Sequence, residues 1–190
     1  MHPVQIRGPR LALREFTAAD TDTDALQGIF GDPETVLHLP FGTRDRATCE
    51  QLVAGYLKDA ATTPRTAYAL AVERRDTGEV VGTAYLWTSG EHAGVIGYAL
   101  HRGSWGRGLG SETVHLLCAL GFRGLGRHRL TADREPLNEA SGRVLEKAGF
   151  TVEGYARENV LVDGEWHDSV RHALLEYEWQ PPEGITLAEA

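Results

Sequence analysis

The sequence predicts a mixed α/β fold, in which helices pack on the faces of one central sheet. Two features of the 190 residues indicate this class. Short apolar or alternating runs typical of strands recur along the chain, and segments with apolar residues at helical spacing lie between them. The resulting order is β-α-α-β-β-β-α-β-α-β-β. We expect residues 1–180 to form a single domain and residues 181–190 to form a frayed tail.

The first half of the chain is predicted to contain a strand, two helices and three further strands. Apolar residues that alternate with polar ones predict the opening strand over 4–16. Thr17, three residues before Asp20, predicts the N-cap of a helix that ends near Phe30, where glycine and proline interrupt the pattern. The second helix and the three strands are predicted over 43–61, 67–74, 80–87 and 95–101.

The second half is predicted to alternate helix and strand and to end in a hairpin. Asn138 is the predicted N-cap of the last helix, and Gly149 lies where a left-handed residue commonly ends a helix. The dipeptide Asp163-Gly164 predicts a tight turn between the last two strands. These helices and strands are predicted over 111–122, 129–133, 138–148, 150–162 and 165–179.

Composition excludes several classes of function. With 19 Lys+Arg against 27 Asp+Glu the net charge is −8, which argues against a nucleic-acid partner and is compatible with a cationic substrate. Two cysteines cannot form a disulfide framework, and eight histidines show no metal-ligand spacing, so we expect no metal. No apolar run approaches the ~20 residues of a spanning helix, so we expect no membrane partner and a cytoplasmic protein.

A glycine-rich loop over 103–110 links a predicted strand to the start of a predicted helix. The first turn of a helix has about four backbone N–H groups without partners, and the helix dipole adds positive charge there. Glycines let an anion approach such amides closely, so the loop is a candidate phosphate or pyrophosphate site. A plain strand-to-helix connection is the alternative interpretation of the same residues.

Two motifs follow one another along the chain: W-G-R-G-L-G-S-E over 105–112, and N-E-A-S over 138–141 followed by L-E-K-A-G-F over 145–150. At this spacing they resemble the GNAT superfamily of acyl-CoA-dependent N-acyltransferases. The first motif is most similar to the RimJ/RimL-type branch of ribosomal-protein N-terminal acetyltransferases, as are L-A-L-R-E-F over 11–16 and D-G-E-W-H-D over 163–168. The resemblance covers roughly residues 8–179.

The resemblance implies a central mixed, mostly antiparallel twisted sheet with a splayed strand pair and helices on both faces. It also implies acetyl-CoA as co-substrate. The backbone of Leu100 and His101 would bond the pantetheine arm, and Asn138 would contact the cofactor near its thiol. The pyrophosphate would lie on the backbone amides of Arg107, Gly108, Leu109, Gly110 and Ser111.

Two departures from the family pattern concern the acid and the base. Leu145 stands where relatives often carry a tyrosine acid, so Ser141 becomes the candidate general acid, with helix capping as its alternative role. Val95 stands where relatives often carry a glutamate base. Glu91 is then a candidate base, acting through a water molecule. Equal alternatives are His92, Asp133 and Glu135.

The function implied is transfer of an acetyl group from acetyl-CoA to a primary amine by direct attack in a ternary complex. The acceptor is either a protein N-terminus or a small-molecule amine, and a homodimer is possible. One alternative is a catalytically idle acyl-CoA-binding sensor or interaction module, since both usual catalytic side chains are replaced. Another is an α/β domain whose glycine loop binds a different phosphorylated ligand. His38, between the first two helices, is a candidate to border the acceptor pocket.

Overall fold

The structure, a computed structural model, describes residues 4–187. Within this range the chain forms nine strands and five helices. The helices are α1 (Asp20–Phe30), α2 (Pro33–Val36), α3 (Arg46–Ala61), α4 (Leu109–Cys118) and α5 (Glu139–Lys147). The strands are β1 (Gln5–Arg7), β2 (Leu11–Glu15), β3 (Ala67–Arg74), β4 (Val80–Ser89), β5 (Ala93–Leu100), β6 (Arg129–Arg134), β7 (Thr151–Val162), β8 (Glu165–Leu175) and β9 (Thr186–Leu187).

All the strands belong to one sheet in the order β7-β8-β6-β5-β4-β3-β2-β1-β9. Every neighbouring pair is antiparallel except β5 and β6, which are parallel. The parallel pair is in register only over Ala93–Val95 and Arg129–Thr131, after which the two strands diverge. This confirms the mixed, mostly antiparallel sheet with one splayed pair.

Helices pack on both faces of the sheet through apolar side chains. On one face α4 and α5 pack against the sheet through side chains such as Leu117 and Leu145. On the other face α1 and α3 contribute Leu26, Phe30 and Val53 to a second cluster. Helices on both faces are therefore confirmed. No helix among residues 4–187 is both long and apolar enough to cross a membrane.

The first 45 residues depart from the predicted boundaries. The predicted strand over 4–16 is a hairpin of β1 and β2, closed where the Gly8 N–H donates to the Leu11 carbonyl at 2.8 Å. The predicted Thr17 cap is wrong, because α1 begins at Asp20 and Thr17 instead donates to Asp22. A further short helix, α2, precedes α3, which begins at Arg46 rather than at residue 43.

Local signals in the second half are confirmed. The Asn138 side chain accepts from the Ser141 N–H at 3.0 Å as the N-cap of α5, and Gly149 follows that helix with φ +97°. Asp163 and Gly164 both have positive φ, at +49° and +89°, in the turn between β7 and β8. Such angles are those of the primed turns that suit the twist of a hairpin.

The helix predicted over 111–122 begins two residues earlier, at Leu109, and its hydrogen bonds widen to a π-helical turn over Ala119–Gly124. The prediction of a frayed tail is wrong for residues 185–187. Ile185 is buried, and Thr186 and Leu187 pair with β1. Pairing with a distant strand supplies backbone partners that the local sequence does not indicate. Residues 188–190 lie outside the described residues.

Candidate active site

A cavity of about 650 Å³ lies at the end of β5 that has separated from β6. The end of β5, the start of α4, the start of α5 and the loop that follows α2 form its walls. The predicted site residues that line it are Leu100, Gly108, Leu109, Gly110, Ser111, Asn138 and Ser141. The structure thus brings together residues from three separate motifs, and it leaves His101, Arg107 and Glu91 outside the lining.

The glycine loop ends as an open helix N-terminus facing the cavity. Gly106 and Gly108 have φ of +71° and +73°, a left-handed conformation that favours glycine. Gly108 is the N-cap of α4, and no side chain caps this helix. The first-turn amides of α4 are therefore left for an anion, as the sequence predicts for a phosphate site.

A salt bridge between Arg10, just before β2, and Glu112 of α4 supports the loop. The buried Glu112 carboxylate accepts from Arg10 Nε at 2.8 Å and from the backbone N–H groups of Arg10 and Leu11 at 2.8 and 2.9 Å. Arg10 Nη1 also donates to the Arg107 carbonyl at 2.8 Å. The backbone of the candidate phosphate loop is thus fixed by residues at the start of β2.

The two residues predicted to bond the pantetheine arm differ in orientation. The His101 N–H donates to the Val81 carbonyl, and its Nδ1 accepts from a neighbouring backbone N–H, so His101 faces away from the slot between β5 and β6. Backbone groups alternate along a strand, so those of Leu100 and Tyr98 face the slot. The Leu100 carbonyl already accepts from Trp105 Nε1 at 2.8 Å, which leaves its N–H and the backbone of Tyr98.

Two hydroxyl groups meet on the wall formed by β5 and α5. The Tyr98 hydroxyl donates to Ser141 Oγ at 3.4 Å, and both residues line the cavity. Burial raises the pKa of Tyr98 above its usual value, and the hydrogen bond to Ser141 offsets part of that rise. The phenol therefore keeps its proton at neutral pH. The Asn138 amide uses its oxygen to cap α5, so its NH₂ group is what it can offer a ligand.

The candidate bases divide into two groups. Glu91 and His92 lie in the exposed turn between β4 and β5, with 90% and 80% of their side chains accessible. That turn adjoins the paired end of β5 and β6, whereas the cavity lies at the end where the strands have separated. The structure therefore does not bring Glu91 or His92 to the cavity.

The other two alternatives, Asp133 near the end of β6 and Glu135 directly after it, both contact basic side chains. Asp133 pairs with Arg171 at 2.9 and 2.8 Å, which holds it as one half of an ion pair. Glu135 lies 2.6 Å from Nδ1 of His38, measured to Oε2. His38 itself lines the cavity, which places it where the sequence predicts, between α2 and α3.

Sequence reasoning missed Tyr98 and Arg10 as site residues. Tyr98 lies two residues before Leu100, so the period of a strand puts both on the same side, and this signal could have identified it. For Arg10 no local signal exists, because its partners Arg107 and Glu112 are about a hundred residues away in the chain.

Comparison with known proteins agrees with this geometry. The profile of a family described as "Acetyltransferase (GNAT) domain" matches residues 10–151. The chain therefore belongs to the GNAT family of N-acetyltransferases, enzymes that move an acetyl group from acetyl-CoA to an amine.

Two curated relatives illustrate the similarity, one over nearly the whole chain and one over about half of it. The uncharacterized N-acetyltransferase YoaA of Bacillus subtilis is 29% identical over 178 residues, which are 92% of this chain and 98% of that protein. The [ribosomal protein uS5]-alanine N-acetyltransferase of Escherichia coli is 34% identical over 109 residues, 56% of each chain.

Two solved structures share the fold. A GNAT-family acetyltransferase from Bacillus anthracis superposes with a TM-score of 0.81 at 26% identity, covering 92% of this chain and 99% of that one. Mycobacterium smegmatis RimJ, in complex with CoA-disulfide, superposes with a TM-score of 0.79 at 23% identity, covering 97% and 93%.

Proposed function

We propose that this chain binds acetyl-CoA in the cavity between β5 and β6 and transfers the acetyl group directly to the amine of a protein N-terminus. The observation that carries the proposal is the cavity itself. It joins an open helix N-terminus that suits a pyrophosphate to a slot whose walls carry proton donors. We also infer that residues 4–187 form a single domain, since all their strands belong to one sheet.

The residues at the loop fit coenzyme A. The amides of Leu109, Gly110 and Ser111 open α4 and would hold the pyrophosphate. A Cβ on Gly110 would lie 3.3 Å from the Val144 side chain, so a larger residue would crowd the narrow floor between α4 and α5. Bound acetyl-CoA would supply an activated thioester. This chain would hold it extended along the free edge of β5 beside Tyr98 and Leu100.

Ser141 and Tyr98 would protonate the departing thiolate. The Ser141 hydroxyl would donate, and the Tyr98 hydroxyl, 3.4 Å away, would replace its proton. This arrangement offers a phenol from β5 in place of the tyrosine that the family pattern puts at the position of Leu145. It therefore supports an active enzyme over an idle binding module.

The rim of the cavity favours a peptide as acceptor. Leu37 and Leu137 line the cavity from opposite loops and remain 69% and 78% exposed. Exposed leucines offer apolar contact to the side chains that follow an N-terminal amine, whereas a polyamine has no side chains to make that contact. Glu34, also in the lining, and the net charge of −8 favour a positively charged acceptor.

The test is release of free thiol from acetyl-CoA by the purified protein with a panel of amines. The panel contains peptides with free N-termini, spermidine and an aminoglycoside. We expect release with peptides, and mass spectrometry should show one acetyl group on the peptide α-amine. Release with a small amine only would contradict the proposed acceptor. Tight acetyl-CoA binding with no release from any amine would favour the sensor interpretation.

A further inference from the structure

We propose that His38 is the general base that takes a proton from the acceptor amine, and that Glu135 is the positioning residue that holds the imidazole. This inference rests on the proposed function, because it assigns a role within the same cavity. The family pattern leaves this chain without a general base, because Val95 cannot accept a proton at the position where relatives often carry glutamate.

Two segments far apart in the sequence bring the two residues together. His38 lies in the loop after α2 and lines the cavity, and Glu135 directly follows β6 behind it. The distance from His38 Nδ1 to Glu135 Oε2 is 2.6 Å, and the two side chains are 30% and 22% exposed. The imidazole is therefore partly sheltered at the cavity wall, where a proton acceptor would meet an entering substrate.

The carboxylate also suits the imidazole to base chemistry. Within residues 4–187, Glu135 Oε2 is buried and accepts no hydrogen bond of good geometry. His38 Nδ1 lies 2.6 Å away, so a turn of the ring would let an Nδ1–H satisfy this oxygen. When Nδ1–H faces this carboxylate, the other ring nitrogen, Nε2, keeps the lone pair that accepts a proton. The negative charge of Glu135 then stabilises the imidazolium that forms.

Other titratable groups in the lining are less suited to the role. The Glu139 side chain is 81% exposed and pairs with Arg143 at 3.2 Å on the surface of α5. Glu34 is exposed at the start of α2. Tyr98 keeps its proton because burial raises its pKa. Of the groups in the lining, His38 is the histidine, and a neutral imidazole has a ring nitrogen whose lone pair can accept a proton.

The proton balance of the reaction is complete with these groups. An acceptor that arrives as an ammonium gives one proton to His38 Nε2, and its nitrogen gains a lone pair. The nitrogen then forms a bond to the thioester carbonyl carbon, and the C–S bond breaks with its electron pair on sulfur. The thiolate takes a proton from Ser141, Tyr98 replaces the Ser141 proton, and the second proton of the nitrogen passes through solvent to restore the Tyr98 hydroxyl. His38 finally releases its proton to solvent.

The test compares wild type with His38→Asn on two matched peptides. Asparagine places an amide where Nδ1–H lies, so it keeps the contact to Glu135 and removes Nε2. One peptide begins with alanine. The other begins with trifluoroalanine, whose amine is so weakly basic that it is already neutral at pH 7. We expect H38N to lower kcat about 10²-fold with the alanine peptide and to have a much smaller effect with the trifluoroalanine peptide.

Controls separate a base from a structural role. Acetyl-CoA affinity, measured by titration calorimetry, should be unchanged in H38N. His92→Asn, in the exposed turn at the other end of β5, should behave as wild type with both peptides. Glu135→Gln keeps the shape without the charge and should show the same dependence on peptide, with a smaller loss than H38N.

The outcomes distinguish this inference from the proposed function. Equal losses with both peptides would mean that His38 shapes the site without moving a proton, and would overturn the inference. So would wild-type rates in H38N. If wild type releases no thiol with any amine of the panel, both the proposed function and this inference fail.

Discussion

At the scale of single residues, the proposed proton transfer in the cavity depends on two hydroxyl groups from different elements. Tyr98 comes from β5 and Ser141 from α5, and their oxygens are 3.4 Å apart. If they form one proton relay, removing either should have the effect of removing both, because the effects of substituting residues that act as a unit are not additive.

We expect Ser141→Ala to lower kcat about 10²-fold, with a smaller effect on acetyl-CoA affinity. Tyr98→Phe should also lower kcat, and the double variant should be no slower than S141A alone. Steady-state kinetics of thiol release measure this. Equal effects of S141A on turnover and affinity would indicate a binding or capping role instead. A double variant slower by the product of the single effects would contradict the relay.

Gly108 is the residue on which the proposed phosphate site depends. We expect Gly108→Asp to abolish acetyl-CoA binding, because the new carboxylate would lie at the open N-terminus of α4 and repel the pyrophosphate. Gly78→Asp is the matched control, because Gly78 has nearly the same φ, +72°, in the turn between β3 and β4. Calorimetric titration with acetyl-CoA should show binding in G78D and none in G108D. Unchanged affinity in G108D would refute the assignment of the loop.

At the scale of secondary-structure elements, the Arg10–Glu112 pair decides how firmly α4 and its loop are attached to the sheet. We expect Glu112→Gln to destabilise the protein by about 1–3 kcal/mol, because an amide cannot satisfy the same set of N–H donors. It should also weaken acetyl-CoA binding, since Arg10 would no longer hold the Arg107 carbonyl firmly in place.

Denaturant unfolding and acetyl-CoA titration test the Glu112 prediction together. Glu50→Gln is the control, because Glu50 forms an exposed i,i+4 pair with Arg46 on α3, and such pairs contribute little. Loss of stability without loss of affinity would mean that the pair supports the fold and not the loop.

Elements with local signals could be predicted from the sequence, and elements that depend on distant partners could not. Asn138, Gly149 and the turn at 163–164 adopt the predicted conformations because capping and turn chemistry act within a few residues. The Thr17 prediction failed because Asp22 accepts from Thr17 and pairs with Arg14 of β2, so Thr17 does not cap α1.

The same distinction applies to the site. The glycine loop and Ser141 are readable because their motifs are contiguous. The approach of Tyr98 to Ser141, and of His38 to Glu135, depends on how segments far apart in the sequence pack together, which no local pattern encodes. Glu91 is close in sequence to the position of Val95, yet it lies in a turn at the far end of β5 from the cavity.

At the scale of the whole molecule, a half-buried histidine makes stability depend on pH. His115 of α4 accepts a hydrogen bond through Nδ1 from Trp179 Nε1 at 3.2 Å, which ties the segment after β8 to the helix layer. Burial lowers the pKa of His115 below its usual value. The folded protein therefore favours neutral His115. The contribution of neutral His115 to stability is fully present above the unfolded pKa of about 6.5 and is lost as the pH falls below it.

We expect the Tm of wild type to fall between about pH 7.5 and about pH 5.5, and that of His115→Asn to fall less, since asparagine accepts from Trp179 at any pH. Scanning calorimetry at both pH values measures the difference. His92→Asn, which changes an 80% exposed histidine, should follow wild type. Equal losses in H115N and wild type would assign the pH dependence to other groups.

The pairing of β9 with β1 has a consequence for how the chain could be rearranged. Leu187 lies opposite Ile6 and Thr186 opposite Arg7, at the edge of the sheet farthest from β7. A short linker could join these two ends without crossing the sheet. A circular permutant with new termini at Gly78, whose surroundings are open, would keep every strand neighbour and leave the cavity walls continuous.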